Sequence, residues 1–85
     1  MKVSVISAER AVFDGEANAV VAPAYDGFVG ILPGHAPLMT LLGEGMVTIS
    51  QAGGNVTRLN VMGGFLQVAS NVVRIVARRA GPADS

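Results

Sequence analysis

The stretch Met46-Val47-Thr48-Ile49-Ser50-Gln51-Ala52-Gly53-Gly54-Asn55-Val56-Thr57-Arg58-Leu59-Asn60-Val61-Met62 decides the fold class. Two runs with many β-branched residues, 46–52 and 56–62, flank Gly53-Gly54-Asn55. Glycine and asparagine tolerate the backbone conformations of a tight reversal, so the stretch reads as a β-hairpin. Downstream, Phe65 to Ala69 and Val72 to Ala77 flank Ser70-Asn71 and read as a second hairpin. In its last strand Val73, Ile75 and Ala77 face one way, while Val72, Arg74 and Val76 face the other. Upstream, Lys2 to Ser7 alternates, with Val3 and Val5 on one side and Ser4 and Ile6 on the other. Ala17 to Ala22 is a short apolar strand ended by Pro23, and Gly27 to Leu32 is another, stopped by Pro33. Leu38 to Leu42 fits a strand or a helical turn, because five residues do not separate the two periods. Further turn signals stand at Asp14-Gly15, Asp26-Gly27, Gly43-Glu44-Gly45 and Gly63-Gly64, the last a bulge or tight turn between strands. Short segments between regular turns, with thirteen valines and four isoleucines, predict an all-β sandwich or barrel. No run of ten or more residues carries helical spacing, and the small polar tail 81–85 is expected to fray.

Composition narrows the function classes. The 85 residues suffice for one domain, and 51% hydrophobic against 14% charged residues argues for an ordered core rather than disorder. Zero formal net charge provides no global field for nucleic acid or an acidic membrane. The charges are uneven: residues 1–45 carry two cations against five carboxylates, and residues 46–85 carry four arginines against Asp84. The pair Arg78-Arg79 is no basic patch, and four aromatics (Phe13, Tyr25, Phe28, Phe65) make no stacking platform for single strands. The absence of cysteine excludes disulfides, thiolate catalysis and cysteine-bound zinc. The opening Met1-Lys2-Val3-Ser4 is not expected to act as a secretory signal. The longest uncharged run, Gly27 to Gly43, is broken by Gly30, Pro33, Gly34 and Pro37, so no membrane-spanning helix forms there.

Catalysis requires a nucleophile, base or metal held by partners. The single histidine, His35, lies in Pro33-Gly34-His35-Ala36-Pro37 and has no spacing that pairs it with Ser7 or Asp26. One histidine and scattered carboxylates make no metal pattern, and Gly27, Gly30 and Gly34 make no dinucleotide fingerprint. No cofactor, metal or catalytic residue is therefore expected. The apolar stretch Gly27 to Leu38 is different. A period of two cannot bury Phe28, Val29, Ile31 and Leu32 on one face, so some of them should emerge as a contact site.

Within that stretch, Gly30-Ile31-Leu32-Pro33-Gly34-His35-Ala36-Pro37-Leu38 closely resembles the signature loop of the epsilon subunit family of F-type ATP synthases. Ser7-Ala8-Glu9 with Phe13 and Gly15 resembles the family's amino-terminal strand and turn. Gly63-Gly64-Phe65, Val68 and Asn71-Val72-Val73 resemble its closing strands, so the resemblance covers residues 1–80. It implies a flattened ten-stranded β-sandwich belonging to the rotor, non-catalytic, bound to the side of the gamma subunit and resting on the c-ring. Through them it would act indirectly on the alpha/beta head and help couple proton translocation to ATP synthesis, with no nucleic acid partner and no insertion into the membrane. The implied place is peripheral, at the cytoplasmic face of the bacterial inner membrane. By matching positions, Phe28, Val29, Gly30, Ile31, Leu32 and Pro33 would face the c-ring, and Ser7, His35 and Thr40 would lie at or near gamma. Phe28 departs from the acidic or polar residue of many relatives, which implies packing rather than polar pairing at the ring. Longer members continue into a helical hairpin that restrains hydrolysis and in some binds ATP; here Arg78-Arg79-Ala80 replaces the usual residues, and neither property is expected. On this reading His35→Glu or Ile31→Asp weakens assembly without unfolding. The rivals are a free-standing β-sandwich that binds a ligand or peptide, and a minimal hydrolase using His35.

Overall fold

The computed structural model describes residues 1–8 and 10–83. Eight strands follow in order: β1 (Lys2–Ser7), β2 (Arg10–Glu16), β3 (Ala19–Ala24), β4 (Gly27–Ile31), β5 (Leu38–Leu41), β6 (Glu44–Ser50), β7 (Val56–Ala69) and β8 (Val72–Pro82). A single 3-10 turn, Ala52–Gly54, sits in the β6–β7 hairpin. The β7–β8 hairpin turns through Ser70 and Asn71, both at positive φ, the geometry a two-residue reversal between twisted strands requires.

Hydrogen bonding runs β2-β1-β8-β7-β6-β3-β4, with β5 added to β7. Antiparallel pairing dominates, and β1 lies parallel to β8. The long strands β7 and β8 bend together where Gly63 and Gly64 face Arg78 and Ala77. Before the bend β7 pairs with β6; after it β7 pairs with β5. Each long strand thus serves two layers. The first layer is β2-β1-β8-β7-β5 and the second is β4-β3-β6-β7-β8, so eight strands fill ten strand positions. Glycine is obligatory at the bend: Gly64 has φ +109, and a Cβ there would overlap the Val76 carbonyl oxygen and lie 2.9 Å from Ala77 Cα.

The alternation of β1 and β8 follows the sequence reading. Val3, Val5, Val73, Ile75 and Ala77 turn inward, and Val20, Ile31, Val47, Ile49, Leu66 and Val68 meet them from the other strands. Each such aliphatic side chain contributes roughly 1.5–3 kcal/mol on burial, enough together to hold a domain of this size. Core positions are filled by small branched residues, which suits two closely packed layers.

Several expectations need correction. Asp14-Gly15 is no turn; it lies within β2, paired with Ser4 and Val3. Val12 is an extra residue in that ladder, which brings both Val12 and Phe13 against the core and hides the strand's period. β3 does not end at Pro23 but continues to Ala24, because pairing with β6 has stopped at Val21 and no partner there needs the missing N–H. Residues 38–41 resolve as a strand against β7, and Leu42 bridges to Ala24. Gly63-Gly64 bends one continuous strand rather than separating two. The ladder runs on through Gly81 and Pro82, opposite Asn60 and Leu59, and Ala83 donates to the Arg58 carbonyl at 3.1 Å. Only Asp84 and Ser85 of the expected tail lie outside the described residues. The principal extents, 26 × 26 × 24 Å, are nearly equal, because strands shared between layers draw the sandwich toward a barrel.

Candidate functional site

Strand order and register place the outward side chains of the first layer in rows. One row crosses all five strands: Leu41, Phe65, Val76, Ile6 and Ala11. Every member is apolar. Leu41 is 60% exposed and Phe65 37%, while Ile6 and Val76 are half-buried by their neighbours. The adjoining row is Met39, Gln67, Arg74, Ser4 and Asp14, apolar at the β5 end and polar toward β2. An apolar band rimmed by polar side chains is the anatomy of a protein contact face.

The signature stretch divides by strand parity. Val29 and Ile31 turn inward against Ala22 and Val20, and Ile31 has no exposed surface. Phe28, Gly30, Leu32 and Pro33 emerge, with Phe28 66% and Leu32 63% exposed. Ile31 therefore cannot touch a partner, and an aspartate there would unfold the domain rather than report on assembly. The loop after β4 is tied down: Gly34 N–H donates to Asn71 Oδ1 at 3.0 Å, and His35 N–H donates to the Leu32 carbonyl at 3.1 Å. His35 Nδ1–H donates to the Ala36 carbonyl at 2.7 Å. Asn71, read from the sequence only as a turn residue, thus also anchors the loop. No sequence signal pairs two positions so far apart.

Ser7, His35 and Thr40 are not brought together. Lys2 N–H donates to the Asn71 carbonyl, which puts the loop and His35 near the start of β1. Ser7 ends β1, about 16 Å further along at strand rise. It is 7% exposed, and its backbone lies between Arg10 and Ala77, so it offers a partner almost no surface. Thr40 pairs with buried Leu66 and is half-buried. The separation of Ser7 from His35 leaves that pairing of the hydrolase alternative without geometry. Beside Ser7 a cleft of about 680 Å³ opens at the bend, lined by Asn60, Met62, Arg78 and Arg79 among others. Among the described residues no group of three or more potential metal ligands exists, and no helix is long and apolar enough to cross a membrane.

The structure is a two-layer β-sandwich whose first layer carries outward apolar side chains. Comparison with known proteins places it more closely. The family model described as "ATP synthase, Delta/Epsilon chain, beta-sandwich domain" matches residues 1–83. Two proteins named ATP synthase epsilon chain are similar over 76 residues: that of Leptospira borgpetersenii at 43% identity and that of Leptospira interrogans at 42%. Each match takes in 89% of this chain and 59% of the relative, so the chain spans about three-fifths of those proteins' length. The chain belongs to the ATP synthase delta/epsilon β-sandwich family. A chain from the Euglena gracilis mitochondrial ATP synthase (OSCP/F1/c-ring, rotational state 1) superposes with TM-score 0.87 at 24% identity, covering 94% of this chain and 51% of that one. One from the Tetrahymena thermophila mitochondrial ATP synthase central stalk and c-ring superposes with TM-score 0.75 at 16% identity, covering 95% and 65%. At those identities the likeness concerns the fold.

Proposed function

We propose that this chain is a non-catalytic rotor subunit of an F-type ATP synthase, docked to the gamma subunit on one face and to the c-ring at another. It would help couple proton translocation to ATP synthesis as a peripheral component at the cytoplasmic face of the bacterial inner membrane. The observation that carries the reading is the apolar row Leu41, Phe65, Val76, Ile6 and Ala11 on the first layer. It gives gamma a flat, stiff face to grip, and a stiff face transmits torque without deforming. His35 borders this layer, whereas Ser7 and Thr40, on its inward face, would support the contact from inside. The c-ring would meet Phe28, Gly30, Leu32 and Pro33. Val29 and Ile31 anchor that stretch from the core, and Asn71 holds the following loop in place.

Burying Leu41 and Phe65 at such a contact is worth roughly 1.5–3 kcal/mol each before the costs of association. The test is binding of purified chain to purified gamma, with Phe65→Asp as the site variant and circular dichroism as the control for folding. The reading expects a stable complex for the wild type and a loss of about tenfold or more in affinity for the variant. Equal affinity for both proteins would remove this face from the contact.

A further inference from the structure

Four strands end the two layers, and an open edge templates pairing with another chain unless it is blunted. β2 is blunted by Asp14, Glu16 and the Val12 bulge. The last part of β8 carries Arg78, Arg79 and Pro82. β5 is only four residues long, and the chain just past it crosses to β3 through the Ala24–Leu42 bridge and the Gly43 N–H donating to the Pro23 carbonyl at 2.8 Å. β4, Gly27-Phe28-Val29-Gly30-Ile31, has no charge, no proline and no bulge.

Its hydrogen-bonding phase follows from Pro23. That carbonyl points away from β4 toward Gly43. Successive strand residues alternate sides, so Ala22 and Ala24 direct their backbone groups to β4, where they meet Val29 and Gly27. Phe28 and Gly30 therefore direct both N–H and C=O to the open edge. Gly30 adds an independent observation. Its φ is outside the left-handed region, and a Cβ on it would meet nothing within 4 Å. Nothing among the described residues calls for glycine there, although glycine weakens a strand and often marks the close approach of another chain. On the same face the exposed Phe28 and Leu32 flank it, leaving a slot one residue wide.

We infer that the β4 edge of the free chain pairs antiparallel with the β4 edge of a second copy, about a two-fold axis at Val29. In that register Phe28 of each copy stands opposite Gly30 of the other. Both residues face the edge, so each pair exchanges two hydrogen bonds and the contact makes four. The Phe28 ring covers the neighbouring glycine, a known way of sheltering an edge glycine. Asp26 falls opposite Leu32, so no like charges meet. The two second layers become one continuous sheet. The pairing stands independently of the rotor reading; because it uses the surface offered to the ring, it belongs to the unassembled chain and ends on assembly. A contact this small makes a weak, reversible dimer.

The test is sedimentation of the free chain from about 10 µM to about 1 mM, with amide exchange followed by NMR at both ends of the range. A reversible dimer is expected, with the Phe28 and Gly30 amides slowing at least about tenfold as it populates. Phe28→Lys places like charges at the edge on an already exposed position, and Gly30→Pro removes the edge donor; each should raise the dissociation constant at least about tenfold. A monomer throughout overturns the inference. So does a dimer whose Phe28 and Gly30 amides exchange freely, or one that Phe28→Lys leaves intact, since either places the contact elsewhere. Protection of those amides only after assembly with other subunits overturns it as well, by giving the edge a different occupant.

Discussion

Two glycine-to-alanine changes should move stability in opposite directions. Gly64 sits at the bend with φ +109, and its Cβ would overlap the Val76 carbonyl. Holding an alanine at such a φ costs about 1–3 kcal/mol. Crowding a ladder carbonyl that has no room to retreat adds about 1–3 kcal/mol. The gain from a stiffer unfolded chain offsets only about 0.4–1 kcal/mol. The net loss for Gly64→Ala is thus on the order of 1–5 kcal/mol, against a total stability near 0.05–0.15 kcal/mol per residue. At Gly30 the backbone is an ordinary strand and the space is open, so Gly30→Ala keeps only the favourable part, about 0.4–1 kcal/mol. Urea unfolding followed by circular dichroism reads both. With a slope near 1 kcal/mol per molar, Gly64→Ala lowers the midpoint by about 1 M or more, and Gly30→Ala raises it by about 0.5 M. A Gly64→Ala midpoint equal to wild type would refute the bend as the fold's steric hinge. Joint destabilisation by both changes would refute the distinction drawn between the two sites.

Ile31→Asp places a carboxylate in the core and should leave the chain unfolded by circular dichroism at neutral pH, whereas Leu32→Asp, one residue on and exposed, keeps the fold; a folded Ile31→Asp protein contradicts the inward assignment. Asn71→Ala removes the Gly34 tether and places alanine at positive φ, so it should speed exchange of the Gly34 amide at least about tenfold, with a stability loss of about 1–3 kcal/mol; unchanged exchange means that the loop holds itself. His35→Glu is expected to weaken binding to gamma without changing the melting temperature, since the ring is only half-buried and bonds locally to Ala36; unaltered affinity would take His35 out of the contact.

Much of the fold was legible because hairpin chemistry is local. Gly53-Gly54-Asn55 and Ser70-Asn71 announce their turns, and the alternation of Lys2–Ser7 and Val72–Ala77 assigns inward and outward faces as the structure has them. β2 was hidden because the Val12 bulge breaks the period of two and Asp14-Gly15 imitates a turn. Pro23 looked like a terminus because sequence does not reveal which side of a strand lacks a partner. The signature stretch could be seen to need an outward face, but only pairing with β3 decides that Phe28 and Leu32 take it while Ile31 goes inside. The apolar row on the first layer was illegible for the same reason. Its members come from five separate strands and meet only through register.

The most direct measurement is reconstitution of the chain with purified gamma and the detergent-solubilised c-ring, using single cysteines introduced at Phe65 and at Leu32 in a sequence that has none of its own. The account predicts a stoichiometric complex in which cysteine 65 crosslinks to gamma and cysteine 32 to the ring. Failure to form a complex, or crosslinks with the partners exchanged, would contradict it.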